Sequence, residues 1–593
     1  MAGPPTFDPA SAHGVIAQAT ALLEQGRTVE AIGLLQNAVA ADAANAELRF
    51  TLGVALTESG DARLAAPVLL KATRLAPGWL APRLMLAKAL HTSGRSADAL
   101  SVLRQTTQDM PDAADAWALY GNLARQSGDN AAAIDSYEHY LQLQPNDVGA
   151  LNNLAVALRA QHRIHDAIAV YKTALRFTPD TGLLHANLGN ALDAAGLSAE
   201  AEHHLRKAVG LMPGAPDAAY NLAAHLTREE RPDEAAPILR EIVLRHPDRW
   251  DAWTNLGVAL VALGELREAE ACYRAALGLA PSAPETHYNL AWLLLLDGQW
   301  REGWTEYEWR WQLPNFSSRK RAHTTPAWDG TPQPGRTILL HAEQGLGDTI
   351  QFARFAKAVR AKCHRVIVDA PKGLIPLLQT IEGIDAVVDA AVPSPPHDVH
   401  AHLLGLPRLL GITPSSISPE PYVSTPTAIA PHLQLPATTR PRIGFVWAGS
   451  ADNKIDRRRS CDVANFLTLA QATDADFVSL QIGPRAQDLS EPKANIVARI
   501  DGRAADWTET AQILAQIDLV ISVDTAVAHL AGAMGKQTWI LLPFSPDFRW
   551  LLTGAATPWY SSVRLFRQRV RGDWASLFHD VGQALTLWIR SRG

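Results

Sequence analysis

Three short segments in the second half of the chain carry side chains whose types and spacing suit chemistry. The first is Glu343-Gln344-Gly345-Leu346-Gly347-Asp348. Its glycines permit a tight turn and close backbone approach. Asp348 falls where a helix begins, so unpaired N–H groups and the helix dipole favour its charged form. Such a carboxylate takes a proton once a polyanionic ligand nearby restores its basicity, or it merely caps the helix. The second segment, Ser522–Lys536, runs off the end of a strand. Asp524, Thr525 and Ala526 open a helix whose N–H groups suit a phosphate, with His529 one turn in. The alternative is a capping Asp524 or Thr525 and a hydrogen-bonded core histidine. The third is the polar loop Ser450–Ser460, with Lys454, Arg457, Arg458 and Arg459. Held over a cleft, these cations neutralise a phosphate leaving group; otherwise they form a solvated basic loop.

Strands and helices alternate around these segments. RTILLHA reads as a strand from Arg336, TIQFARFAKAVRA as an amphipathic helix, and RVIVDA and DAVVDA as further strands. The Pro-rich stretch Pro431–Pro441 breaks the series. RIGFVWAGS then opens a second series containing the strands FVSLQI, DLVISVD and TWILLP. In the tail, Trp574, Leu577, Phe578, Val581, Leu585 and Trp588 lie along one helical stripe. The pattern predicts two Rossmann-like α/β units, 336–435 and 442–593, each a parallel sheet with flanking helices. Ligands in such folds sit beyond the carboxyl ends of the strands.

The first half is repetitive. Pro77, Pro111, Pro145, Pro179, Pro213, Pro247 and Pro281 stand 34 residues apart. A small residue precedes each by 24 positions (Gly53, Ala87, Gly121, Ala155, Gly189, Ala223, Gly257), and an Ala comes twelve positions after that residue. Small residues let two antiparallel helices approach closely, and the Pro ends the second. The pattern resembles the tetratricopeptide repeat, which implies an α-solenoid of about nine helical hairpins over residues 1–313, its degenerate first and last copies acting as caps. Asn153, Asn187, Asn221, Asn255 and Asn289 recur at one place on the first helix of five repeats. An amide both donates and accepts, so a column of them on a concave face can hold the backbone of an extended peptide, or each can bond inside the array. The Trp-rich run Gln299–Phe316 is expected to fasten the array to the α/β half, and 314–335 reads as a Pro-bearing linker.

Composition narrows the classes. The 593 residues hold 54 Lys+Arg against 60 Asp+Glu, a net charge of −6, which lacks the basic footprint of a nucleic-acid binder. Hydrophobic residues at 47 % and charged ones at 19 % describe a globular chain. Cys272, Cys363 and Cys461 lie far apart, giving no disulfide framework and no zinc spacing. No secretory leader and no apolar run of about 18 residues is evident, so a cytoplasmic protein without a transmembrane segment is expected.

The three segments, spanning roughly Thr337 to Arg571, resemble the GT-B glycosyltransferases of the ADP-heptose:lipopolysaccharide heptosyltransferase type. In that family a Gly-Asp pair supplies a catalytic base, which matches Gly347-Asp348. A Lys in the loop opening the second unit grips phosphate, for which Lys454 is the nearest match and Arg458 a rival. An Asp-Thr-Gly-x-x-His segment holds diphosphate and sugar; here it reads Asp524-Thr525-Ala526-Val527-Ala528-His529, with Ala in place of Gly. The resemblance implies a nucleotide-sugar site of Gln344, Gly345, Gly347, Ser450, Lys454, Arg458, Asp524, Thr525, Ala526 and His529, on an acceptor-side first unit and a donor-side second unit. With the repeats attached, the chain is similar to bacterial TPR-fused glycosyltransferases, including those that modify flagellin, and its order of domains and asparagine ladder are similar to those of the O-GlcNAc transferase family. This implies transfer of a sugar to Ser or Thr of a protein acceptor, flagellin-like, held by the repeats. It also implies no cofactor beyond the donor, no metal, and inversion at the anomeric carbon. Transfer to a lipid-linked glycan and a non-catalytic scaffold are the alternatives. Removing residues before about 315 is expected to spare donor hydrolysis and to lose protein modification.

Overall fold

The computed structural model describes residues 11–314, 316, 318, 324–450, 456–489 and 496–592. The chain divides into two compact units, Met1–Ile242 and Val243–Gly593.

The first unit is a run of helical hairpins, from Ala12–Glu24 paired with Thr28–Ala41 to Pro216–Arg228 paired with Pro232–Arg245. The small residues act as their spacing predicts. A Cβ on Gly121 would stand 2.7 Å from the Tyr137 ring, and one on Gly189 2.7 Å from Leu205. Ala65, Ala99, Ala133, Ala167 and Ala201 are fully buried. A further device, not announced by the sequence pattern, closes several of the repeats. The side chain six residues after a repeat proline reaches back to that proline's carbonyl: Arg83 Nη2 to Pro77 at 2.7 Å, Trp117 Nε1 to Pro111 at 2.8 Å, His185 Nε2 to Pro179 at 2.8 Å. Each satisfies an acceptor left over past a helix end.

The second unit begins with two more hairpins, Trp250–Leu263 with Leu266–Leu279 and Pro284–Leu296 with Trp300–Glu306. Here too Trp253 and His287 reach back, to Pro247 and Pro281. The chain then forms a four-stranded parallel sheet: β1 (Gln333–His341), β2 (Cys363–Ala370), β3 (Ala386–Asp389) and β4 (Val399–His402), in spatial order β3-β2-β1-β4. A six-stranded parallel sheet comes next: β5 (Arg442–Val446), β6 (Asp476–Ser479), β7 (Ile496–Arg499), β8 (Leu519–Val523), β9 (Thr538–Leu542) and β10 (Val563–Arg567), in order β10-β9-β8-β5-β6-β7. That is the doubly wound order, with its switch point between β5 and β8. β1 starts at Gln333, inside the stretch read as linker. The helix expected over TIQFARFAKAVRA is two, Leu346–Ala353 and Ala356–Arg360, separated by Arg354, whose guanidinium turns away to donate to the Trp559 carbonyl at 2.6 Å.

The last repeat shares a core with the sheets. Trp300, Trp304 and Tyr307 are buried among Phe352, Phe548 and Trp559. Trp300 stacks on Trp559 with centroids 5.3 Å apart, and Trp304 meets Phe352 edge-on. The Trp-rich run is thus part of the α/β core. On the other face of the second sheet, the tail helix Trp574–Arg590 buries Leu577, Phe578, Val581 and Leu585 with Phe466 and Trp539. Among the described residues no helix is long and apolar enough to cross a membrane.

Candidate functional site

The described residues of the three chemical segments follow the carboxyl ends of strands that border a switch point. The chain leaving β1, between β2 and β4, enters Glu343–Asp348. The chain leaving β5 enters Trp447–Ser450. The chain leaving β8 enters Asp524-Thr525. Crevices at these places are where open α/β sheets receive ligands.

Two of the segments meet. The helices Leu346–Ala353 and Ala526–Ala533 pack together at their first turns, and Gly347 makes this possible. A Cβ there would stand 3.0 Å from His529 Cδ2 and 3.2 Å from Ala526 Cα. The Ala526 methyl therefore faces a residue without a side chain, which accommodates the departure from glycine. Gly347→Ala is expected to force these helix starts apart and to lower stability by about 1–3 kcal/mol, read as a reduced Tm of the second unit.

Thr525 caps the Ala526–Ala533 helix, its Oγ accepting from the Ala528 N–H and lying 2.9 Å from Ser522 Oγ. Asp524 is buried, with His529 Nε2 3.5 Å from its Oδ1. Burial pushes its pKa up. The hydrogen bond and charge of His529, with Arg459 and Arg549, outweigh that and hold the carboxyl well below the usual range. His529 is fixed from two further sides, by the Tyr560 hydroxyl 3.0 Å from Nδ1 and by stacking on the Trp550 ring.

Asp348 receives a hydrogen bond from the Gly345 N–H to Oδ2 at 2.8 Å and forms an ion pair through Oδ1 with Arg549. Arg549 is 5 % exposed. It also donates to Asp547 Oδ1 and to Gln351 Oε1, each at 2.8 Å, and rests against the Phe548 ring. Burial pulls its pKa down, but Asp547 and Asp348 push it above the ordinary arginine value, so it is a permanent cation.

The loop carrying Asp348 is held from the end of the repeats. Arg310, wholly buried, donates from Nε and Nη2 to the two carboxylate oxygens of Glu343 at 3.1 and 3.0 Å, and from Nη1 to Glu308 at 2.7 Å. Glu343 Oε1 also accepts from the Leu404 N–H. Gln344 adopts φ +61°, a left-handed conformation unusual for a side-chain-bearing residue, and donates from Nε2 to the Tyr307 hydroxyl at 2.7 Å.

Of the remaining expected residues, Ser450 and Arg458 are exposed, and Lys454 lies outside the described residues. The neighbouring Arg459 is turned toward the strand end: a Cβ on Gly449 would stand 2.6 Å from its Nη2, and it acts on Asp524. The five ladder asparagines are each half-buried on the first helix of a repeat. Asn153 Nδ2 donates to Asn122 Oδ1 at 3.4 Å and Asn187 Nδ2 to Asn152 Oδ1 at 2.9 Å, so part of their donor capacity is used between repeats. Among the described residues no group of three or more His, Cys, Asp or Glu is placed to hold a metal ion. Sequence reasoning misses Arg549 and Arg310. Each is a charge set between two aromatic residues, Trp309 and Trp311 for Arg310 and Phe548 and Trp550 for Arg549, a pattern that marks a buried charge without naming its partner.

The tetratricopeptide repeat family model matches residues 22–79 and, in overlapping windows, 84–148, 122–181, 152–219, 186–249, 220–284 and 254–302. The N-terminal part is an array of tetratricopeptide repeats. Over most of its length the chain is similar to Protein FlbA of Caulobacter vibrioides, 26 % identical over 560 residues, covering 88 % of this chain and 86 % of FlbA. It is similar to the human Protein O-mannosyl-transferase TMTC1, 33 % identical over 226 residues, covering 36 % of this chain and only 25 % of TMTC1. Among solved structures it is similar to YrrB, described as a TPR protein with an unusual peptide-binding site, at 22 % identity and TM-score 0.25, covering 30 % of this chain and 90 % of that one.

Proposed function

We propose that this chain is a protein glycosyltransferase of GT-B type, moving a sugar from a nucleotide sugar to a Ser or Thr hydroxyl of a polypeptide that the repeats bind. The observation that carries this reading is the meeting of two helix starts, one bearing Asp348 and the other Asp524-Thr525-Ala526, at the switch points of two parallel sheets. The similarity to FlbA along most of both chains supports a single machine of repeats and α/β part. The similarity to TMTC1, named as a protein O-mannosyl-transferase, supports transfer of sugar to protein.

In this reading the donor's phosphate lies against the first turn of the Ala526–Ala533 helix, whose N–H groups and dipole favour an anion. Arg459 adds positive charge near the end of β5, and Lys454 and Ser450 belong to the same loop. The acceptor oxygen attacks the anomeric carbon as Asp348 takes its proton. The bond from that carbon to the phosphate oxygen breaks, and the nucleotide leaves with the electron pair. One base and in-line attack invert the anomeric centre, and no metal is required. The acceptor is a flagellin-like protein, modified in the cytoplasm. The repeats raise its local concentration at the cleft.

The acceptor half of the proposal is tested at the ladder. Replacing Asn221 and Asn255 together by Ala is expected to weaken acceptor binding by about fivefold to a hundredfold, each lost backbone hydrogen bond contributing about 0.5–1.5 kcal/mol, while nucleotide release into water stays unchanged. Equal modification of the acceptor by the double variant would make the ladder purely structural.

A further inference from the structure

We infer that Arg549 is a positioning residue for Asp348, fixing the plane and direction of that carboxylate for the attacking hydroxyl; this rests on the reading of Asp348 as the base. Three observations carry it. Asp348 is held at both carboxylate oxygens, Oδ2 by the Gly345 N–H and Oδ1 by Arg549. A carboxylate offers about four acceptor positions, so these two contacts set its rotamer and leave positions open for a substrate hydroxyl. Arg549 is itself immobilised: Nε by Gln351, Nη1 by Asp547, and its face by the Phe548 ring 4.5 Å away, with Phe352 5.7 Å away on the helix of Asp348. Gln351 lies on that helix as well, so the guanidinium fork reads both the helix and its first-turn carboxylate and ties them to the segment after β9. Finally, Phe548 meets Trp292 and Trp304 edge-on, at 5.0 and 5.6 Å. The last repeat therefore backs the arginine that aims the base. A lysine at 549 retains the charge and lacks the planar fork.

The test is a rate cycle on the full chain. A panel of UDP-, GDP-, ADP-, dTDP- and CMP-linked sugars supplies the donor that the wild-type chain turns over fastest, and nucleotide release is measured for R549Q, R549K, D348N and D348N/R549Q. A misaimed base costs about 10²-fold. R549Q is expected to lower kcat by about that factor with donor KM within about twofold, and R549K to recover about tenfold of it. In the D348N background R549Q is expected to cost nothing further, because a residue acting only through Asp348 has no effect once that carboxylate is gone. Multiplicative losses in the double variant, or a donor KM raised about tenfold with kcat retained, would overturn the assignment and make Arg549 a structural or phosphate-binding residue. Full activity of D348N would instead overturn the reading of the base, independently of Arg549. Should R549Q lose its cooperative melting transition, the same cycle with R549K decides: no added loss over D348N supports the role, and an added loss overturns it.

Discussion

Asp348→Asn is expected to lower sugar transfer by about 10³-fold or more while nucleotide binding and fold survive. General bases contribute about 10²–10⁴-fold, and Asp348 is the carboxylate at the contact of the two helix starts. Asparagine is nearly isosteric and its carbonyl still accepts from the Gly345 N–H, so the turn persists. Arg549 loses one anionic partner and keeps Asp547 and Gln351, so the buried guanidinium remains paired. Single-turnover transfer together with calorimetry on the nucleotide separates the two effects. A variant that binds nucleotide and transfers at the wild-type rate removes Asp348 from the chemistry.

The second large effect concerns where the chain can be cut. A fragment beginning at Val243 is expected to fold and to release nucleotide from a sugar donor, while binding acceptor more weakly for want of Asn153, Asn187 and Asn221. A fragment beginning at residue 315 is expected not to fold. It lacks Arg310, which leaves the buried Glu343 carboxylate unpaired at a cost of about 3–5 kcal/mol. It also lacks Trp300, Trp304 and Tyr307, and loss of each large aromatic from a core costs about 3–5 kcal/mol. Together these reach about 12–20 kcal/mol, comparable to or larger than the roughly 5–15 kcal/mol that stabilises a typical domain. This prediction departs from the sequence-based expectation that a cut near 315 spares donor hydrolysis, because the Trp-rich run shares a core with the sheets. Far-UV circular dichroism with thermal melting checks the pair, and a cooperative transition in the shorter fragment would contradict this account.

Much of the architecture is legible in the sequence because its causes are local and repeated. The 34-residue ladder of Pro, Gly and Ala fixes helix ends and helix approach, and its Gly and Ala positions are buried where the helices meet while its prolines are exposed at the helix ends. β1, β2, β5, β8 and β9 read as apolar runs because parallel strands are covered on both faces. β4, β7 and β10 escape such a reading. Val399–His402 alternates apolar with polar residues over only four positions, Val563–Arg567 is interrupted by two arginines, and Ile496–Arg499 is a four-residue edge strand. Short polar strands carry little signal before their partners are known. For the site, the Gly-Asp and Asp-Thr segments are readable from turn and cap chemistry. What is not readable is long-range: Arg549 lies 201 residues from Asp348, Arg310 lies 33 from Glu343, and nothing in the local sequence of Phe548-Arg549-Trp550 announces a partner. The basic loop is legible only as a group. That Arg459, rather than Arg458, turns toward Gly449 comes from the short helix Asp456–Arg459 and its pairing with Asp456.

Whether Asp348 drives sugar transfer to protein is decided by intact-mass spectrometry of the acceptor, flagellin first, from cells carrying either the wild-type chain or D348N. The account predicts protein mass raised by whole multiples of one sugar residue with the wild-type chain and the bare polypeptide mass with D348N. Identical masses in the two cells, for flagellin and for every other protein retained by the repeats, would contradict it.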